Sequence, residues 1–245
     1  MVYVHEDSFE GFLSAVFTVF EDKKTADFTL RTTEGVGLGF DEERTVISDT
    51  EHADRVINRL RSLGIYRRVY TAYLYGGVED SILLYIKRAL SLGGRPDQQR
   101  YDDAVKTVLT ASERVGSEAH RFLEFIRFES LREPNGGGEI MVADIEPQYD
   151  ILHIISNHFV KRFPSQPLLI RDMRRGKALV WDCENWHIST LPELLRPNIT
   201  SEGEFEDMWR RYFQCVAIPW RRNRKLQQQF VPLRFRSNMT EFKTQ

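Results

Sequence analysis

Apolar residues recur at Phe9, Phe12, Leu13, Val16, Phe17 and Phe20. That spacing draws one wide stripe along a helix, and Asp7 or Ser8 stands where an N-cap is needed. Ahead of it, residues 2–4 alternate as in a short strand. Phe28–Thr32 and Arg44–Ser48 read as strands on either side of a glycine-bearing turn. Within that turn, Gly35–Phe40 (GVGLGF) has the wrong glycine spacing for a dinucleotide loop. Acids at 41–43 follow, where a phosphate would be repelled, so a hairpin or loop is expected. Asp49 or Thr50 opens the next helix, with Ala53, Val56, Ile57 and Leu60 inward. Helical periodicity then runs from Ile65 to about Leu92, broken at Gly76-Gly77 and ended by Gly93-Gly94-Arg95-Pro96. Two further helices are predicted over Gln98–Leu109 and Ala111–Phe128, the second burying Val115, Ala119, Phe122, Leu123 and Ile126.

The chain reads as a single domain over 1–245, with a subdomain junction at 134–138, where Pro134-Asn135-Gly136-Gly137-Gly138 interrupts the pattern. Beyond it, Glu139–Ile145 is a predicted strand and Asp150–Phe163 a helix. Leu168–Asp172 and Lys177–Asp182 flank Met173-Arg174-Arg175-Gly176, which predicts a β-hairpin near 167–182 with Gly176 at the position requiring positive φ. A polar loop over Pro192–Gly203 leads to a last helix at Glu204–Ile218. Helices dominate, strands are few and short, and no regular strand–helix alternation appears. The expected class is α+β.

With 41% hydrophobic residues among 245, the chain can bury a substantial core. No apolar run is long enough to span a bilayer, the first residues carry no signal-peptide pattern, and only Cys183 and Cys215 occur. A reducing, cytoplasmic location is therefore expected, without a disulfide framework. Charge changes the picture more than composition does. Residues 210–245 carry nine Lys or Arg against Glu241 alone, a local charge of +8, while the whole chain sums to −2. Residues 1–209 must then carry −10. A cationic segment on an anionic body concentrates positive potential where a polyanion can be held. Its densest run is Arg221, Arg222, Asn223, Arg224 and Lys225, followed after Pro232 by Arg234, with Trp209, Trp220, Phe230 and Phe235 interleaved. Cations grip phosphates, amides read base edges and rings stack on bases. The same pattern also describes a solvated, cation-capped terminal helix.

Other groups that could carry chemistry are scattered. His120 flanks the buried stripe of SEAHRFLEFIRF, where Glu118, Arg121, Glu124 and Arg127 form an ion-pair ladder. His158 and Arg162 lie four apart on one helix face. Arg162 either snorkels out at the helix end or enters a polar pocket, where it bridges to Asp172 or, with Arg174 and Arg175, makes a phosphate site. Asp182, Cys183, Glu184 and His187 cluster, but one Cys and one His at this spacing do not make a zinc site. No P-loop, GxSxG or HExxH occurs, so neither cofactor nor metal is expected.

Several longer stretches are distinctive together: YVHEDSFEGFLSAVF, SEAHRFLEFIRF, IEPQYDILHIISNHFVKRF, LLIRDMRRGKALVWD and MWRRYFQCVAIPWRRNRKLQQQFVPLRF. Through them the chain resembles a bacterial domain-of-unknown-function family associated with DNA metabolism and DNA repair. Its members are found beside a radical-SAM protein or fused ahead of a uracil-DNA-glycosylase-like domain. It departs from that family where Phe235 is followed by Arg236 rather than a second aromatic, and in a less aromatic hairpin. The resemblance implies a DNA-related context and supplies no catalytic residues. Two partners follow from it: DNA, and a radical-SAM or glycosylase-like protein; no membrane is expected. The leading expectation is an accessory protein that binds nucleic acid through Arg221–Lys225 and Arg234, extended by Arg162, Arg174 and Arg175. The alternatives are an enzyme on nucleotides or damaged bases using His120, His158 or Asp172, and a protein–protein adaptor.

Overall fold

Ser8 caps the first helix, α1 (Phe9–Glu21), by accepting the Gly11 N–H at 2.9 Å. Of the predicted stripe, Phe12, Leu13 and Val16 are inaccessible or nearly so and Phe9, Phe17 and Phe20 are half-buried, while Ala15 and Val19 off the stripe are buried as well. Full burial of a Phe, Leu or Val side chain contributes about 1.5–3 kcal/mol. The computed structural model describes residues 1–23, 28–33, 42–132, 139–190, 231–236 and 239. It divides into two compact units, Met1–Ser117 and Glu118–Gln245. The stretches expected at 35–40, 134–138, 192–203 and 204–218 lie wholly or mainly outside the described residues.

In the first unit, Val2–His5 (β1) is the middle strand of a parallel sheet ordered β2-β1-β3. Thr29–Thr32 (β2) and Glu43–Val46 (β3) both pair with β1, setting Leu30 and Arg44 opposite Tyr3. The two strands therefore do not form a hairpin with each other. Parallel pairing needs a crossover, and α1 supplies it between β1 and β2. Gly11 allows the chain to pass close: a Cβ there would sit 2.8 Å from the Glu6 carbonyl oxygen. Ser14, fully buried on α1, accepts the Asp49 N–H at 3.0 Å and donates to the Glu10 carbonyl at 2.9 Å. It thereby ties α1 to the start of α2 (Thr50–Ser62), which Asp49 caps through the His52 N–H. Next come α3 (Tyr66–Tyr73) and α4 (Glu79–Leu92), separated at Gly76-Gly77 as the sequence indicates. The core of this unit runs through Tyr3, Phe12, Leu60, Ile65, Leu83 and Val108.

Residues 103–125 form one helix, α5 (Asp103–Phe125), not two. Asp102 accepts the Ala104 and Val105 N–H groups at 3.0 and 3.2 Å. No Gly or Pro interrupts Thr110-Ala111-Ser112, and the apolar rhythm of Val105, Val108, Ala111, Val115 and Ala119 continues across it. In the second unit the strands β4 (Glu129–Arg132), β5 (Glu139–Ile145), β6 (Leu168–Asp172), β7 (Lys177–Trp181) and β8 (Trp186–Thr190) lie side by side in that order. Only β5 and β6 are parallel, connected by α6 (Leu152–Arg162); the other pairs are antiparallel. The β6–β7 hairpin is the one expected, with Gly176 at φ +61°. A short helix, α7 (Leu233–Arg236), inserts Phe235 between Phe122 and Phe125, at ring-centroid distances of 4.9 and 5.3 Å. The class is α+β. Among the described residues no helix is long and apolar enough to cross a membrane.

Candidate nucleic-acid interface

The β6–β7 turn brings Asp172, Arg174 and Arg175 together, but it uses two of them internally. Asp172 is fully buried and accepts the N–H groups of Arg174 and Arg175 at 3.0 and 3.1 Å. Its other oxygen takes the Arg175 guanidinium at 2.9 Å. Arg175 also donates to the carbonyls of Pro147 (3.1 Å) and Gln148. This arginine is a clip that fastens the 147–148 loop to the hairpin. A buried carboxylate left without it would be strongly destabilising, which explains the saturation. The Arg162–Asp172 bridge considered from sequence does not form. Arg162 stays exposed at the end of α6, 5.6 Å from the Phe163 ring centroid.

The neighbouring strands repeat the pattern. Arg171, 4% exposed, forks onto both oxygens of Asp144, with the outer contact at 2.8 Å. Lys177 reaches Asp150 at 2.9 Å. Arg234 meets Glu118 at 3.1 Å, and Glu118 also accepts the Tyr149 N–H at 2.9 Å. Glu118 is 3% exposed, so it leaves the solvent-facing ladder to which the three-residue spacing assigned it. The signal for this was present: 115, 118, 119 and 122 lie on one helical face, and Val115, Ala119 and Phe122 are apolar.

Of the sequence candidates in the described part, two cations remain open to a foreign anion. Arg174 and Arg162 are exposed and have no acid partner among the described residues. Arg175 and Arg234 are engaged. His158 is exposed on α6, and His120 is exposed on α5 with Glu124 at 3.4 Å. Arg221, Arg222, Asn223, Arg224 and Lys225 lie outside the described residues. The Asp182–His187 cluster is the β7–β8 connection. There the N–H groups of Asn185 and Glu184 hold the Asp182 carboxyl below the usual carboxylate range, and Cys183 adopts φ +77°.

A family model for a domain of unknown function, DUF4130, matches residues 77–241, well over half of the chain. No curated protein matches it.

Proposed function

We propose that this chain, which belongs to the DUF4130 family, is a nucleic-acid-binding accessory protein of DNA metabolism. One observation carries the reading: residues 210–245 hold a charge of +8 on a body of −10. Such separation suits a phosphate backbone. Arg221, Arg222, Arg224 and Lys225 grip phosphates, and Arg162 and Arg174 extend the grip on the second unit. Arg175 and Arg234 serve the fold instead. The likeness of the motifs to a DNA-repair-associated family supports a radical-SAM or uracil-DNA-glycosylase-like partner. His120 and His158 stand on exposed helix surfaces and Asp172 is consumed by its turn, so catalysis by these three gains no support.

The test is the salt dependence of binding to a short DNA duplex. Wild-type affinity should fall steeply as salt rises, and Arg221→Ala with Arg222→Ala should flatten the log–log slope by about 2. An unchanged slope rejects the assignment.

A further inference from the structure

We propose that the α2–α3 turn of the first unit is a second nucleic-acid surface, shaped for a single strand. Arg59, Arg61 and Arg67 take its phosphates, and Tyr66 and Tyr70, backed by Phe9, stack on its bases. The inference does not rest on the C-terminal segment, since the two surfaces share no residue.

Residues 55–78 contain five arginines and no Asp or Glu, with Tyr66, Tyr70, Tyr73 and Tyr75 among them. The arginine-bearing part precedes the region matched by the family model, which begins at residue 77. The turn that presents them is firmly built. Gly64 sits at φ +69°, and the Ile65 N–H closes α2 by reaching the Leu60 carbonyl at 3.0 Å. The Arg95 guanidinium lies over Gly64 and donates to its carbonyl at 2.9 Å. Of the five arginines, Arg55 lies over the Phe17 ring, 4.9 Å from its centroid, and Arg68 is neutralised by Asp97 at 3.0 Å, which also accepts the Tyr85 hydroxyl at 2.6 Å. Arg59, Arg61 and Arg67 are exposed, without an acid partner among the described residues.

Local helix electrostatics accounts for two members of this cluster and not for the third. Arg59 and Arg61 occupy the last turn of α2, where cations suit the helix dipole. Arg67 occupies the first turn of α3, which has neither an acid nor a side-chain cap. There its charge opposes the dipole, so an external anion is what would favour it.

The rings lie beside these cations. The Arg61 guanidinium carbon stands 5.1 Å from the Tyr66 ring centroid. Tyr66 and Tyr70 are within 5° of parallel on successive turns of α3, with centroids 6.2 Å apart. Phe9 backs the two tyrosines from the core side, with Tyr70 at 5.0 Å, Tyr66 at 6.4 Å, Tyr73 at 5.1 Å and Phe12 at 6.2 Å, and both tyrosine rings are half-buried. The row has a direction. At its far end burial, then Asp7 and Glu79, push the Tyr73 hydroxyl well up. The Arg61–Arg67 end is the one that holds phosphates. Rings of this kind match unpaired bases, whose faces a duplex hides.

The experiment uses the full chain carrying Arg221→Ala, Arg222→Ala and Arg224→Ala, so that the C-terminal contribution is removed. It is titrated with a single-stranded thymidylate oligomer of about 20 nucleotides, an abasic oligomer of the same length and a matched duplex. The thymidylate oligomer should bind roughly 10-fold tighter than the abasic one. Adding Arg61→Ala and Arg67→Ala should weaken it roughly 10-fold and reduce the salt slope by about 1.4, with an unchanged urea midpoint. Photocrosslinks to thymine should fall on the peptides holding Tyr66 or Tyr70. Binding that ignores Arg61 and Arg67, equal affinity for the abasic oligomer or duplex, or crosslinks solely elsewhere would each overturn the proposal. Should the C-terminal triple variant bind duplex like wild type, the proposed function fails while this surface stands.

Discussion

Around the β6–β7 hairpin, Asp172, Asp144 and Asp150 each face a cation: Arg175, Arg171 and Lys177. Around the α2–α3 turn, Asp97 is the one acid paired with an arginine among the described residues, and Arg59, Arg61 and Arg67 remain outside it. Both regions are arginine-rich in sequence, yet one uses its charge as internal fastening and the other leaves it at the surface. The difference lies in where the acids are delivered by the fold. The Arg175 clip draws on carbonyls 27 and 28 residues away, on a loop that sequence spacing does not bring near. An arginine run is thus evidence for a site only after the fold has allocated its own acids and carbonyls.

The contrast is broken most severely at the clip. Arg175→Met leaves the Asp172 carboxylate buried without its guanidinium, and should cost roughly 3–5 kcal/mol by urea unfolding. A loss below about 1 kcal/mol would class the pair with ordinary surface bridges and erase the distinction. Next is Glu118, which ties α5 to the Tyr149 backbone and to Arg234 of α7. Glu118→Ala should lower stability by about 1.5–3 kcal/mol, as expected for hydrogen bonds to a charged group. Restoration by Gln of the Tyr149 contact, but not of the Arg234 ion pair, should recover part of this.

The smallest effect concerns Asp49, whose carboxyl the His52 N–H holds below its ordinary value of 3.8. A depressed folded pKa means the cap stabilises above pH 3.8 and loses its contribution as pH falls through the lower folded value. The stability gap between wild type and Asp49→Ala should accordingly be widest near neutrality and narrow below pH 3.8. A gap independent of pH would mean that capping does not depend on the ionised carboxylate.

Much of the framework was legible because its signals are local. The α1 stripe, the Ser8 and Asp49 caps, the Gly93 stop and the Gly176 hairpin follow from periodicity and from residues with special backbone freedom. Pairing was less legible. β2 and β3 meet β1, not each other, because sheet order is decided by crossovers over long separations. β4 and β8 are short edge strands with little apolar pattern to mark them: in β8 Trp186 and Ile188 are half-buried and His187, Ser189 and Thr190 exposed. For the candidate site, helix-face geometry points Arg162 toward Asp172, although Arg175 stands three residues from that carboxylate on the same turn. The Arg59–Arg67 cluster shows in sequence only as a lack of acids over residues 55–78, because the periodicity of α2 and α3 reports their buried stripe and not their exposed face.

The central claim, that surface arginines without internal acids bind and those with them build, is tested most directly by one comparison. The salt slope for the thymidylate oligomer is measured on folded Arg61→Ala/Arg67→Ala protein and on folded Arg175→Ala protein, beside the parent chain. The first should lose about 1.4 from the slope and the second nothing. A slope lowered by Arg175→Ala while Arg61→Ala/Arg67→Ala matches the parent would contradict the account.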